Sequence, residues 1–281
     1  MREEIYIVKD LNAPKRISEY LRKNLGFSSS LVARVKFGGV FLNGECVHMR
    51  AEVRSGDEIR VLFPAEKSEN IPPIKIPLDV LYEDEYILAV NKPKNMPTHP
   101  SRGNSLPTLA NAVMAYLGEG FLFRAVNRLD RDTSGIVLVA KTSLAAANLS
   151  REMKSGGFTK KYMAITVGTP EKEESVIDAP IERECEGSIK RLVRADGKRA
   201  VTEYKLLKKL ADGNSLCEFT LLTGRTHQIR VHASYIGHPL VNDFLYGTRG
   251  EDTYFLHCSY LSFTHPRTKE KMEIKSIPDF I

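Results

Sequence analysis

The sequence predicts an α+β protein: a mixed, largely antiparallel sheet with flanking helices, preceded by a small α/β module. Three observations lead there. Near the start, apolar residues at helical spacing are followed by an Asn-Gly pair between short apolar runs, a strong hairpin signal. Farther on, strand-like and helical segments are interspersed without regular alternation, which argues against a doubly wound parallel sheet. Between the two lies a polar, proline-bearing stretch, residues 65–77, that reads as a linker. The chain has 281 residues, and a domain of ~150 residues fits about twice into that length.

The elements follow in order. Residues 1–12 begin as an extended segment. In residues 15–27, Ile17, Tyr20, Leu21 and Leu25 mark one apolar helical face. The serines at 28–30 offer an N-cap for a second short helix over residues 31–37. Asn43-Gly44 then turns a hairpin, and residues 56–63 close the module as a strand. The module is expected to span residues 1–64, with its core at 13–63, and the larger domain residues 78–281. In that domain the strand candidates are 86–91, 135–141, 161–167, 200–207 and 216–222. The helix candidates are 107–117, 143–154 and 226–236. There is no internal repeat, dinucleotide fingerprint or phosphate loop.

Composition bounds the class. Hydrophobic residues make up 42% and charged residues 27%, an ordinary balance for a folded soluble chain. No stretch approaches the ~20 apolar residues of a membrane span, and the first residues lack a signal-peptide core. The expected location is the cytoplasm. Cys46, Cys185, Cys217 and Cys258 are widely spaced, which speaks for reduced thiols rather than a zinc site or a disulfide framework. The net charge of +6 mildly favours a polyanionic partner.

Charge is concentrated in the module. Between Lys15 and Lys36, the six bases Lys15, Arg16, Arg22, Lys23, Arg34 and Lys36 face a single acid, Glu19, and can line a phosphate backbone. A solvated helix face would look the same from charge alone. The wider pattern resembles the αL-type RNA-binding module of a small-subunit ribosomal protein and of bacterial tyrosyl-tRNA synthetases. The likeness rests on the leucine helix, a serine before the second helix, Gly38 through Asn43-Gly44, and a closing Gly56-Asp57-Glu58-Ile59. Such modules open on Arg-Leu-Asp, where this chain has Arg16-Ile17-Ser18.

The chemistry points to three segments. Asn127-Arg128-Leu129-Asp130-Arg131-Asp132-Thr133-Ser134-Gly135 sets two acids and two arginines just ahead of an apolar strand. Such charges are costly to bury unless paired, so a salt-bridged loop is the bland alternative. Thr223-Gly224-Arg225-Thr226-His227-Gln228-Ile229-Arg230 combines a glycine turn with a helix start, with Thr226 as the expected N-cap. A guanidinium there can grip a carboxylate bidentately. His227 and His232 are five apart and do not share a helical face, so no metal site is expected. Lys160 to Gly168 is a strand whose Tyr162 is either core or a stacking surface for a nucleobase.

Together these segments resemble the RluA-type RNA pseudouridine synthases, whose signature is Arg-Leu-Asp-x-x-Thr-Ser-Gly. The likeness also takes in Asn91-Lys92-Pro93, Thr98-His99-Pro100, residues 197–204 and 237–247, and the C-terminal segment, and runs from about residue 78 to the end. It implies the pseudouridine synthase fold and cofactor-free isomerisation of uridine in structured RNA. Large-subunit ribosomal RNA is the expected substrate, with tRNA the alternative, and the chain is expected to act as a monomer. By the same resemblance Asp130 is the catalytic aspartate, Tyr162 the active-site tyrosine and Arg225 the aspartate's basic partner; the sequence leaves Arg230 open as the alternative, with Arg225 favoured because it sits at the glycine turn. Ile229 packs near the base, Arg128 holds the flipped nucleotide, and Arg230 faces RNA or a buried acid. The family's usual His before the arginine is Asn127 here. Whether the carboxylate attacks the anomeric carbon, attacks the base or abstracts a sugar proton is left open. Two competing readings are a hydrolase using Asp130 and Asp132 as a carboxylate pair and a non-catalytic RNA-binding or assembly factor.

Overall fold

A computed structural model describes residues 2–64, 71–100, 107–118, 120–247 and 253–281. The N-terminal part contains β1 (Arg2–Ile7), β2 (Lys15–Arg16), α1 (Ile17–Lys23), α2 (Ser29–Val35), β3 (Val40–Leu42), β4 (Glu45–Cys46), β5 (Glu52–Val53) and β6 (Glu58–Phe63). Ile17, Tyr20 and Leu21 are buried, as their spacing predicts. The Ser28 side chain accepts from the Leu31 amide at 3.1 Å and caps α2. Asn43 and Gly44 both take positive φ, 49° and 90°, the conformation a tight hairpin between β3 and β4 requires. Strand order in this sheet is β1-β6-β3-β4, and its core includes Ile17, Phe27, Val35, Ile59 and Val61.

The larger part comprises β7 (Asp79–Glu83), β8 (Ile87–Lys92), α3 (Leu109–Leu117), β9 (Ser134–Ala140), α4 (Ser143–Ser155), β10 (Thr159–Thr166), β11 (Glu174–Asp178), β12 (Ile181–Arg183), β13 (Arg191–Val193), β14 (Val201–Lys209), β15 (Ser215–Leu221), α5 (Gln228–Tyr235), β16 (Leu256–Thr264) and β17 (Lys271–Lys275). Its sheet runs β11-β14-β15-β10-β16-β9-β8-β7, with β17 added to β16. Pairings are antiparallel except β16 with β9. The chain is therefore α+β with a mixed, mostly antiparallel sheet. Strand β9 is buried along its whole length, which explains its unbroken apolar run. Gly135 is needed where β9 meets β16: a Cβ there would lie 2.4 Å from the Cys258 carbonyl oxygen, at a φ of +106°.

Of the segment expected to link the two parts, residues 65–70 lie outside the described residues. The two parts are packed together. Leu144 of α4 is buried in the N-terminal core. Arg151 of α4 donates to the Gly26 carbonyl at 2.7 Å. Arg267 donates to the Ile5 carbonyl at 3.1 Å and lies 4.7 Å from the Tyr6 ring centre. It also stands 3.8 Å from Glu4, which in turn accepts from the Tyr6 hydroxyl. No helix among the described residues is long and apolar enough to cross a membrane.

Candidate active site

The loop before β9 is shaped by its own polar groups. Asn127 is buried; its amide donates to the Ile136 carbonyl at 2.9 Å, and its oxygen accepts from the Leu138 amide at 2.8 Å. These two bonds fix where the loop leaves the sheet, a job that asparagine does with one donor and one acceptor. Thr98 brackets the next residue, donating to the Leu129 carbonyl at 2.8 Å and accepting from its amide at 3.2 Å. Asp130 then opens a turn closed by the Thr133 amide on its own carbonyl, at 3.2 Å.

Lys92, at the end of β8, supports this turn from below. It is fully buried and donates to the carbonyls of Pro93, Met96 and Arg131, at 2.8, 2.8 and 3.0 Å. Burial pushes its pKa down to about 7, while Asp132 and Asp130 pull the other way. Three carbonyl acceptors match the three donors of an ammonium, so the bonding favours the charged form.

Asp132 is 5% exposed, and Arg131 grips both its oxygens at 2.8 and 2.9 Å. It is committed to that pair, which removes the second acid a carboxylate-pair hydrolase needs. Asp130 differs: its side chain is 32% exposed. Two groups of α5 and its N-terminal cap converge on one of its oxygens, Oδ2: His227 Nε2 at 3.8 Å and Arg230 Nη1 at 3.9 Å.

This corrects the expected partner of Asp130. Arg225 is exposed, and its Nε donates to the Arg199 carbonyl at 2.9 Å. Arg230 is the arginine beside Asp130. Of the two surroundings expected for Arg230, RNA or a buried acid, the structure shows the acid: the side chain is 4% exposed and grips Asp243 through Nε and Nη2, both at 2.7 Å. The physical reason is helix geometry. Arg225 precedes the helix and points away with the turn, whereas Arg230 lies on the buried face of the first turn. The N-cap is likewise His227, with a left-handed φ of 57°, and not Thr226.

Aromatic rings enclose the acid. Tyr162 is 5% exposed, on the strand that pairs with Cys258 of β16. Its pKa is raised by burial first, then by Cys258 and by the charge of Asp130. Ile229 lies in the same buried cluster as Tyr162. Tyr254 is 1% exposed, lies 4.2 Å from the Arg230 guanidinium and shares a 3.2 Å hydrogen bond with Thr133. Tyr246 also stacks on Arg230, at 4.9 Å, and its hydroxyl pairs with His227 Nδ1 at 2.7 Å. Arg128 is exposed, near enough to His99 for its charge to help lower that ring's pKa after burial.

Sequence reasoning singled out Asp130 and Tyr162, which the structure places near Arg230 and in the buried core, and gave no role to Lys92, His227, Asp243, Tyr246 or Tyr254. Asp243 and Tyr246 lie in residues 237–247, a segment singled out only by resemblance. The readable signal was that a buried arginine on a helix needs an acid.

The six bases of the N-terminal part are exposed or half-buried. A groove of about 880 Å³ is lined by Arg16, Arg22, Lys23 and Arg151 together with Glu19, which pairs with Lys23 at 2.7 Å. Beside it, Arg16, Lys36, His48 and Arg50 surround Phe37, which is 83% exposed.

Comparison with known proteins supplies the family. The family model described as RNA pseudouridylate synthase matches residues 86–235. The chain is 42% identical, over 91% of its length and 93% of the relative's, to an RNA pseudouridine synthase of Bacillus subtilis (strain 168), YjbO, named as uncharacterized. It is 34% identical to ribosomal large subunit pseudouridine synthase C of Escherichia coli (strain K12), over 95% of this chain and 90% of that protein. Among solved structures it resembles human RNA Pseudouridylate Synthase Domain Containing 1, with a TM-score of 0.62 and 29% identity. That match covers 73% of this chain and 85% of the human one.

Proposed function

The chain belongs to the RNA pseudouridine synthases of the RluA type, and from that premise we propose that Asp130 is the carboxylate on which its isomerisation of uridine depends. The reaction breaks the bond between uracil N1 and the sugar, turns the base and rejoins it through C5. The proton leaves C5, N1 gains one, and the RNA keeps its mass. The observation that carries the assignment is the contrast between the two acids of the loop. Asp132 is buried and spent on Arg131, whereas Asp130 is partly open and faces Arg230 and His227.

The remaining roles follow from position. Arg230 steadies the carboxylate charge, and Asp243 aims Arg230. Tyr162 and Ile229 form the floor beneath the acid and offset part of the few kcal/mol that unstacking a base costs. Arg128, exposed beside His99, holds the vacated stack or the flipped nucleotide. Arg225, also exposed, meets a phosphate.

The N-terminal module holds the RNA. Its basic groove suits a phosphate backbone, and Phe37 with Lys36 at 4.4 Å offers a stacking face among cations. The substrate is large-subunit ribosomal RNA, a reading supported by the names of relatives similar over nearly the whole chain.

The test is tritium release from RNA labelled at uracil C5, using total RNA from cells lacking the gene. Wild-type protein should release tritium with RNA mass unchanged, and Asp130→Asn should release none while still binding RNA. Turnover by clean Asp130→Asn would remove the assignment. Mapping pseudouridine in the same RNA before and after treatment names the substrate; sites confined to tRNA would exclude the ribosomal reading.

A further inference from the structure

His227 is the group nearest Asp130 that no role yet explains. Its backbone adopts a left-handed conformation, φ 57° and ψ 19°, which a residue with a Cβ adopts only at a cost. The surrounding turn is held firmly. The Gln228 side chain accepts from Thr223 Oγ1 and the Arg225 amide, and donates to the Val201 carbonyl and Thr202 Oγ1, all within 3.0 Å. The imidazole is therefore presented from a rigid base.

Its neighbours select a tautomer: the Asp130 carboxylate can only accept, and the Tyr246 hydroxyl can donate. The Tyr246 hydroxyl oxygen accepts from the Arg191 amide at 2.9 Å. Its own proton has His227 Nδ1 as acceptor, at 2.7 Å. Nδ1 is then a bare acceptor, and the neutral ring carries its hydrogen on Nε2. That N–H is the atom turned toward Asp130 Oδ2, at 3.8 Å. Arg230 approaches the same oxygen from three residues along the helix, at 3.9 Å. Catalytic hydrogen bonds are often this long before substrate binds and tighten in the complex.

We propose that His227 is a positioning residue. Its Nε2–H and Arg230 together tie down one oxygen of Asp130, so that the other faces the nucleotide. The inference rests on Asp130 being the essential carboxylate. Tyr246 belongs to the device, because its hydroxyl selects the tautomer. A neutral donor can orient the carboxylate without cancelling its charge, which is the property an ionised acid beside Arg230 needs. The charged and titratable groups around the ring are Asp130, Arg230, Arg191, Asp243 and Tyr246. Burial chiefly, with Arg230 and Arg191, lowers the ring's pKa, and Asp130 and Asp243 oppose them. At neutral pH the ring is uncharged. In acid, a proton on Nδ1 would break the bond from Tyr246 and place a second cation against Asp130.

Two substitutions separate positioning from a purely structural turn. Asparagine suits the left-handed backbone better than histidine does, but its amide is too short to reach where Nε2 lies. Glutamine suits that backbone poorly, but its amide nitrogen reaches the Nε2 position. In the tritium-release assay His227→Gln should keep kcat within about threefold, and His227→Asn should lose about tenfold or more, since a hydrogen bond to a charged group is removed. KM should change little in either. The acid limb of the wild-type kcat profile should move to lower pH in His227→Gln, whose amide does not titrate, leaving only the limb that Asp130 itself sets. Thermal melts of both variants report folding. If folded His227→Asn equals or exceeds His227→Gln, or if the acid limb of His227→Gln is unshifted from wild type, the proposal is overturned. Asp130→Asn in the same assay tests the underlying reading separately: turnover there would defeat that reading whatever the histidine variants do.

Discussion

Arg230 and Asp243 form a buried, two-pronged ion pair, with both bonds at 2.7 Å and side-chain exposures of 4% and 0%. The pair orients the guanidinium so that its remaining nitrogen faces Asp130. Asp243 also accepts from the amides of Leu245 and Tyr246 at 3.1 and 3.2 Å, which ties its own segment to α5. Removing Asp243 leaves a buried cation alone. Asp243→Ala should therefore cost about 3–5 kcal/mol of stability, read as the shift in a urea unfolding curve. A loss under about 1 kcal/mol would mean that water or another acid replaces it.

The two arginines near α5 should separate in kinetics. Arg230→Lys keeps a charge but loses the fork that serves Asp243 and Asp130 together. It should reduce kcat by about a hundredfold, the scale of one lost interaction with developing charge. Arg225→Ala touches an exposed side chain and should leave kcat nearly unchanged, raising KM instead. Equal losses of kcat in both would restore Arg225 to the carboxylate.

Acid should weaken the fold in a window set by buried histidine. His257 is 3% exposed, and its two ring nitrogens meet the Ser134 and Ser276 hydroxyls at 2.9 and 3.0 Å. Burial, outweighing Asp279, pushes its pKa down to about 4. In the unfolded chain a histidine titrates near ~6.5. Between those values the unfolded state holds the extra proton. Stability is thus full above ~6.5 and is lost as pH falls toward 4, by about 3 kcal/mol from this residue. His232 shifts the same way, chiefly through burial. Urea melts at about pH 7 and about pH 4.5 check it, and His257→Gln should have the shallower dependence. A wild-type stability flat across that range would contradict the assignment.

Arg267 should govern how firmly the N-terminal module sits. Its guanidinium holds the Ile5 carbonyl and lies over Tyr6, next to Glu4, which is 6% exposed. Arg267→Ala should cost about 1–3 kcal/mol and let residues 1–64 unfold ahead of the rest. The check is proteolysis within the module at a urea concentration where the remainder resists. A single unchanged transition would place the coupling elsewhere, at Leu144 and Arg151.

Salt should report on the basic groove. Replacing Arg16 and Arg22, which line it, with glutamine should weaken RNA binding and flatten its dependence on salt. The slope should fall by about 0.7–0.9 for each phosphate that is no longer neutralised. Filter binding at several salt concentrations measures it, and an unchanged slope would leave these arginines as solvated charges.

Local rules made much of this protein readable from its sequence. Apolar runs, alternation and helical spacing placed β8, β9, β10, β14, β15 and α3 to α5 to within a few residues, because each pattern records how a segment meets a core. Asn43-Gly44 announced its turn, since the conformation there is fixed by two residues alone. The strands β11 to β13, β16 and β17 were not named individually. Short or edge strands carry little periodic signal, and β16 earns its place only by pairing with β9, β10 and β17. The loop at Asp130 was legible because its acids and arginines stand together in sequence. What pairs with Asp130 was not. Arg225 and Arg230 are equivalent as letters, and only the start of α5 at Gln228 turns one outward and the other onto Asp243. His227 and Tyr246 are 19 positions apart, and the 2.7 Å bond between them exists only after the chain has folded back on itself. Sequence determined which chemical groups are present and which stretches bury themselves. Tertiary structure decided which charges are spent on each other and which one stays partly open, because burial and pairing depend on neighbours that the linear order does not name.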